Sequence, residues 1–188
     1  SGFSLNVEHG LKAIAGARTV IVPSWRDPDE RPPAELLAAL VAAHRRGADI
    51  VGLCLGAYVL AEAGLLDGRR ATTHWECAAD FAKRYPQVRL DPAVLYVEDG
   101  QLTTSAGTAA GIDCCLHLLR RDYGSRVANA AARRLVVSPH RQGGQAQFVE
   151  QPLPANTRAS RLGALLDRVR ASLDRPHTLD SLAAQALM

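Results

Sequence analysis

No apolar stretch in these 188 residues is long enough to cross a membrane, and no N-terminal segment has the basic, apolar and small-residue order of a secretory signal. A helical membrane protein is therefore excluded as a reading. The cysteines number four, at 54, 77, 114 and 115, and none is spaced as a metal-binding pair. That argues against a zinc module and against a disulfide scaffold, and fits reduced intracellular thiols. His9, His44, His117 and His177 show no ligand spacing either, so no metal or cofactor is expected. Internal repeats and low-complexity segments are missing. Lysine is almost missing, with two against twenty arginines.

What is present is an apolar fraction of 47% and a net charge of +3, enough for one medium domain with or without a small appendage. The charge is uneven. Residues 120–141 carry six arginines against one aspartate, residues 158–188 five against three, and residues 1–119 are net acidic. A basic rear half suits a polyanion, but solvated helix faces in an arginine-rich chain are the plainer account of it. A chain that starts at Ser1 and ends at Met188 inside an apolar helical pattern is expected to be part of something longer.

Strand and helix signals alternate. Residues 19–23 read as a buried strand. Pro32 and Pro33 open a helix to Arg46, with Leu36, Leu37, Leu40 and Val41 on one face. Residues 48–53 read as a second buried strand, followed by a helix to about Leu66. A short strand is expected over 70–74, a helix over 76–84, and a hairpin from 93–98 and 101–105 about Asp99 and Gly100. Helices follow over 108–122 and 125–134. The alternation predicts an α/β fold with a largely parallel sheet and helices on both faces. Residues 137–157, with Gly143, Gly144, Gln145, Gln147 and two prolines, read as a linker. Beyond it, Ser160 caps a stripe of Leu162, Leu165, Leu166, Val169 and Leu173, and Thr178 caps a second short helix.

The segment Gly-Leu-Cys-Leu-Gly at 52–56 stands between strand and helix. Glycine on both sides of a reactive residue in such a turn is the arrangement of a nucleophile elbow, which presents Cys54 at a helix start. The plainer reading is a buried cysteine in an ordinary turn. His74 lies at the next strand end, where parallel strands bring their C-termini to one edge, so it is a candidate base for Cys54. Alternatively it is a histidine bonded to backbone. Glu76 and Asp113 are the candidate acids to orient it. Backbone donors from the Ser24–Trp25 loop, or from the turn Ser105, Ala106, Gly107 and Thr108, are candidates for an anion or polar ligand group, unless the turn is simply a helix cap.

The run from Gly52 to Trp75 resembles the class I glutamine amidotransferase-like superfamily in its PfpI-like branch. More narrowly, it is similar to the sensor domain of AraC-type transcriptional regulators, as is the arginine-, glycine- and glutamine-rich run 133–148. The tail from Leu162 to Met188 is similar to the start of their helix-turn-helix domain. The resemblance implies a flavodoxin-like sensor domain over 1–136, a linker over 137–157 and a partial DNA-binding domain over 158–188. It implies a cytoplasmic homodimer that binds a small-molecule effector, with DNA read by a complete C-terminal domain and not by this stretch alone, since the base-reading helix is expected after Met188. Cys54 and His74 match the family's elbow cysteine and facing histidine. Trp25, Leu55 and 105–108 are expected to line the ligand pocket with them. Leu55 stands where proteolytic relatives carry histidine, and Ser24–Trp25 where Gly-Gly is common, which favours a pocket reused for binding. The alternative is a cysteine-dependent hydrolase, amidase-like or isonitrile hydratase-like.

Overall fold

The computed structural model describes residues 2, 4, 6–144, 146, 147, 165, 169, 171, 172 and 177–186. It divides into two compact units, 1–148 and 149–188. In the first, β1 (Thr19–Val22) leads through a proline-rich loop to α1 (Ala34–Arg45). Pro33 precedes this helix with an extended backbone, Glu35 lies in its first turn, and His44 and Arg45 lie in its last. That placement complements the helix dipole. Then come β2 (Asp49–Leu53), α2 (Gly56–Glu62), β3 (Arg70–Ala71), α3 (Ala78–Arg84), β4 (Arg89–Leu90), β5 (Tyr96–Asp99), β6 (Leu102–Ser105) and α4 (Ala109–Leu135).

The main sheet has the order β1-β2-β6-β5. The first three strands are parallel and β5 runs antiparallel to β6 across the Asp99–Gly100 turn, as the hairpin signal predicted. Register aligns Val22 with Gly52 and Leu53 with Ser105, so these strands end at one edge. A second small sheet pairs β3 with β4. Helices α1 and α2 bury Leu40, Ala57, Val59 and Leu60 against Ile50 and Leu102, with Phe81 of α3 fully buried. The rings of Tyr58 and Phe81 meet edge to face at 4.9 Å. A smaller apolar cluster joins Val51, Leu95, Ala106, Ala110, Cys114 and Leu118.

Several expectations need correction. The helix after Cys54 ends at Glu62, not Leu66, because Gly64 takes a positive φ and Leu65 N–H bonds back to Leu60. The strand expected over 70–74 covers only Arg70 and Ala71. Thr72 N–H instead bonds to the Thr104 hydroxyl at 2.8 Å, so a buried side chain replaces a ladder partner. The break expected between the helices 108–122 and 125–134, by contrast, is present within α4 at Gly124, whose φ of 83° and ψ of 166° are not helical. The segment read as a linker divides: its described part up to Gln147 docks on the first unit, since Leu95 N–H bonds to the Gly143 carbonyl at 2.7 Å.

In the second unit, α5 (Leu179–Ala186) begins with a reciprocal cap. Ser181 N–H donates to the Thr178 hydroxyl at 3.2 Å, and Thr178 N–H donates to the Ser181 hydroxyl at 3.1 Å. The cap expected at Thr178 is thus present. The cap expected at Ser160 and most of the 162–173 stripe lie outside the described residues. Among the described residues, no helix is long and apolar enough to cross a membrane.

Candidate functional site at the cysteine elbow

Cys54 has a φ of 54°, the left-handed region that a side chain rarely adopts. Its conformation is held from both ends. Its N–H donates to the Ser105 carbonyl at 2.9 Å, and its carbonyl accepts from Ala57 N–H at 3.2 Å and from the Thr73 hydroxyl at 3.1 Å. Small neighbours are required for this. A Cβ on Gly56 would collide with the Val22 carbonyl, and one on Gly107 would overlap the Cys54 side chain. These are the features of a strained strand-to-helix elbow, and the cysteine at its apex is half-buried.

Gly107 lies between the elbow and a cavity of about 160 Å³. His74, Trp75, Leu95, residues 106–110, Arg141 and Gln147 line that cavity. The structure therefore gathers His74, Ala106, Gly107 and Thr108 around one space, with the Cys54 side chain against Gly107. Ser105 is fully buried behind it, its hydroxyl accepting from Gly107 N–H at 3.2 Å. Thr108 makes no side-chain cap of α4, contrary to the simplest reading of that turn.

Neither Cys54 nor Ser105 is itself among the described lining residues, and two other expected residues lie elsewhere. Trp25 lines a different cavity, with Arg31, Tyr58, Glu62 and Tyr85. Its indole N–H donates to the Glu30 carbonyl at 2.8 Å, which folds the ring into its own loop. Leu55 packs against the main apolar core. The candidate acids also diverge. Glu76 reaches His74 Nδ1 only at 3.7 Å and is mostly exposed. Asp113 pairs with Arg141 at 3.1 Å instead. Burial raises the Asp113 carboxyl above its ordinary value, with Arg141 and His140 opposing.

Cys114 is fully buried and its thiol is pushed up to about 12, mainly by burial. Burial also raises Cys115, and burial followed by the proximity of Cys54 raises Cys77. A raised thiol is a poor nucleophile near neutral pH. Among the described residues no group of three or more His, Cys, Asp or Glu is placed to hold a metal ion.

Sequence reasoning missed Gln147. Gln147 is 8% exposed. Its amide nitrogen donates to the carbonyls of Pro92 and Val94 at 2.9 Å and of Thr73 at 3.1 Å, while its Oε1 accepts from Trp75 N–H at 3.1 Å. The Tyr96 hydroxyl donates to the Arg141 carbonyl at 3.0 Å. A glycine- and glutamine-rich composition looks like a linker, and only the facing carbonyls reveal a docked segment.

A profile of the DJ-1/PfpI family matches residues 1–121. The chain is 35% identical over 158 residues to the HTH-type transcriptional regulator ArgR of Pseudomonas aeruginosa, covering 82% of this chain and 48% of the regulator. It is 37% identical over 90 residues to isonitrile hydratase of Pseudomonas putida, covering 48% of this chain and 38% of the hydratase. Among solved structures, an AraC family transcriptional regulator from Pseudomonas putida aligns with a TM-score of 0.60 at 28% identity over 70% of each chain. The chain thus spans about half the length of the curated regulator it matches.

Proposed function

We propose a regulatory role for this chain, which belongs to the DJ-1/PfpI family. In this reading the α/β unit is the sensor of a cytoplasmic transcription regulator. A small effector binds in the cavity beside Cys54, and occupancy controls how a C-terminal helix-turn-helix region engages DNA. The observation that carries the reading is the composition of the cavity wall. Arg141 and Gln147 line it, and they belong to the segment that leads out of the first unit. An effector there touches the connection itself, which a hydrolase pocket does not require. The match to a helix-turn-helix regulator over 82% of the chain supports the same reading. We assign 158–188 to the start of the DNA-binding domain, and the reciprocal Thr178–Ser181 cap supplies a well-defined helix start within it. Palindromic half-sites call for a two-fold dimer, so the sensor is proposed to pair.

The test is titration of a promoter fragment and a scrambled duplex at several salt concentrations. The protein with a complete DNA-binding region prefers the promoter, and that preference changes with effector. The 188-residue chain binds both duplexes alike and weakly, through arginine contacts to phosphate. A preference by this chain of more than about tenfold, or about 1.4 kcal/mol, overturns the assignment of the base-reading element. A monomer in sedimentation at high concentration overturns the pairing.

The strained elbow and the shorter match to isonitrile hydratase favour a second reading, a Cys54-dependent hydrolase. It is less well supported, because among the described residues the acid that meets His74 is Glu76, at 3.7 Å and mostly exposed. Robust isonitrile hydration or amide hydrolysis that vanishes in Cys54→Ala selects this reading over the first.

A further inference from the structure

The part of α4 beyond Gly124 has two unlike faces. Ala128 and Ala132 are fully buried and anchor it. Val127, Ala130, Ala131, Arg134 and Leu135, spaced i, i+3, i+4, i+7 and i+8, share another face and with Arg126 line a groove of about 660 Å³. A second groove, of about 350 Å³, has Leu53, Ile112 and Leu119 in its wall and shares Leu135, so the apolar surface continues along the helix. Val127 is 41% exposed, Leu135 56% and Val136 91%. An exposed apolar strip edged by charge marks an interaction surface. Here the edge is basic. Residues 120–141 hold six arginines and one acid, Asp122, which pairs with Arg121. Arg120 bonds to Asn129 and Pro139, Arg121 also to Asp49 and Glu98, and Arg141 to Asp113. Arg126, Arg133 and Arg134 are exposed, and among the described residues they have no ion-pair or hydrogen-bond partner.

We propose that this face of α4 docks an acidic amphipathic helix of a partner protein. The partner's apolar side lies on Val127, Ala130, Ala131 and Leu135, and its carboxylates meet Arg126, Arg133 and Arg134. The inference goes beyond the regulatory reading and stands whichever ligand the elbow cavity takes. The two alanines keep the groove floor low, so a helix can approach closely. Residues 126–135 span about 15 Å of helix, close to three turns, which is the reach of anchors at i, i+3, i+4 and i+7. Charge of one sign on the rim selects a partner of the other sign. Other occupants fit this face less well. A second copy paired about a two-fold axis at Ala130 sets Arg126 of each copy against Arg134 of the other, and like charges repel, which leaves the sensor's own pairing to another surface. Duplex DNA would satisfy the arginines but set Val127 and Leu135 against a phosphate backbone.

Fluorescence anisotropy of labelled synthetic peptides, titrated with the 188-residue chain, tests this. One helical peptide carries leucines at i, i+3, i+4 and i+7 flanked by glutamates. A second keeps the leucines and has lysines for the glutamates. A third keeps the glutamates and has serines for the leucines. The first binds, and the other two bind about tenfold more weakly or worse. Arg126→Glu/Arg134→Glu reverses the preference, so that the lysine-flanked peptide becomes the tighter ligand. Leu135→Ser weakens the first peptide by about fivefold or more. The changed side chains are all exposed, and thermal melting establishes that each variant folds. No binding of the first peptide overturns the proposal. So does equal binding of the first two, or an unchanged preference in the folded charge-reversal variant. Self-association in sedimentation that Leu135→Ser abolishes gives the face to a second copy and overturns it too. The same holds for a DNA duplex that binds more tightly than the first peptide and loses that binding in Arg126→Glu/Arg134→Glu.

Discussion

The two sides of the α/β unit are held together by different forces. Around α1, α2 and α3 the interior is apolar, with Leu40, Ile50, Leu60, Leu66 and Phe81 fully buried. Around the elbow a smaller apolar cluster is accompanied by buried polar residues, Thr72, Thr73, Thr104, Ser105 and Gln147, joined through hydrogen bonds to backbone and to one another. Apolar burial is strong and non-directional, so it stabilises without fixing any atom closely. Buried hydrogen bonds add little net stability each but are costly to break, so they set positions. The first region supplies the stability that lets the second keep a cysteine in an unfavourable backbone conformation.

Five substitutions probe this contrast. Phe81→Ala is expected to have the largest effect, a loss of about 3–5 kcal/mol in urea denaturation, because it empties a fully enclosed site against Tyr58 and Tyr85. A loss below about 1 kcal/mol would show that the apolar side is not the stabilising one. Gly107→Ala comes next. The residue has a φ of +83°, and the added methyl overlaps Cys54. About 1–3 kcal/mol of strain is expected, together with altered labelling of Cys54 by a thiol reagent. Unchanged labelling kinetics would mean that the 106–108 turn does not confine the thiol.

Gln147→Ala leaves the carbonyls of Thr73, Pro92 and Val94 and the Trp75 N–H without this partner. A global loss of about 1–3 kcal/mol is expected. Faster amide exchange should concentrate at 73–75 and 94–96, with α1 unaffected. Uniformly faster exchange across α1 as well would erase the distinction between the two regions.

The smallest effects are those of pH, and they have opposite signs. The Asp99 carboxylate is lowered, first by the Arg70 N–H and then by Arg69. Its contribution is present above the unfolded value near 3.9 and is lost as pH falls through the lower folded value. Asp113 is raised by burial, so its contribution is present below about 3.9 and lost as pH rises through the higher folded value. Acid denaturation of Asp99→Asn should therefore lose part of the wild-type drop at low pH. Asp113→Asn should lose part of the decline that wild type shows on going from acid towards neutrality. Curves superimposable on wild type for both would remove these two groups from the pH response.

Much of the fold was legible from local pattern. The strands at 19–22 and 49–53, the Asp99–Gly100 hairpin and the break at Gly124 follow from apolar runs, turn residues and glycine, whose signals lie within a few positions. The elbow was legible too, because a tight turn around Cys54 demands glycine at fixed offsets. The lining of the cavity was not. Trp25 follows its own strand end as Cys54 does, yet its indole is satisfied by Glu30 and turns into another cavity.

Sequence alone determined the element order, the parallel topology, the elbow and the family, since each rests on short-range periodicity or on a contiguous motif. Tertiary structure alone decided which side chains share the cavity, that Asp113 serves Arg141 and not His74, and that Gln147 reaches back across more than fifty residues to Pro92 and Val94. Those outcomes depend on which donor meets which acceptor once distant segments pack. A buried amide has no pattern along the chain that names its partners; only the carbonyls left facing it do.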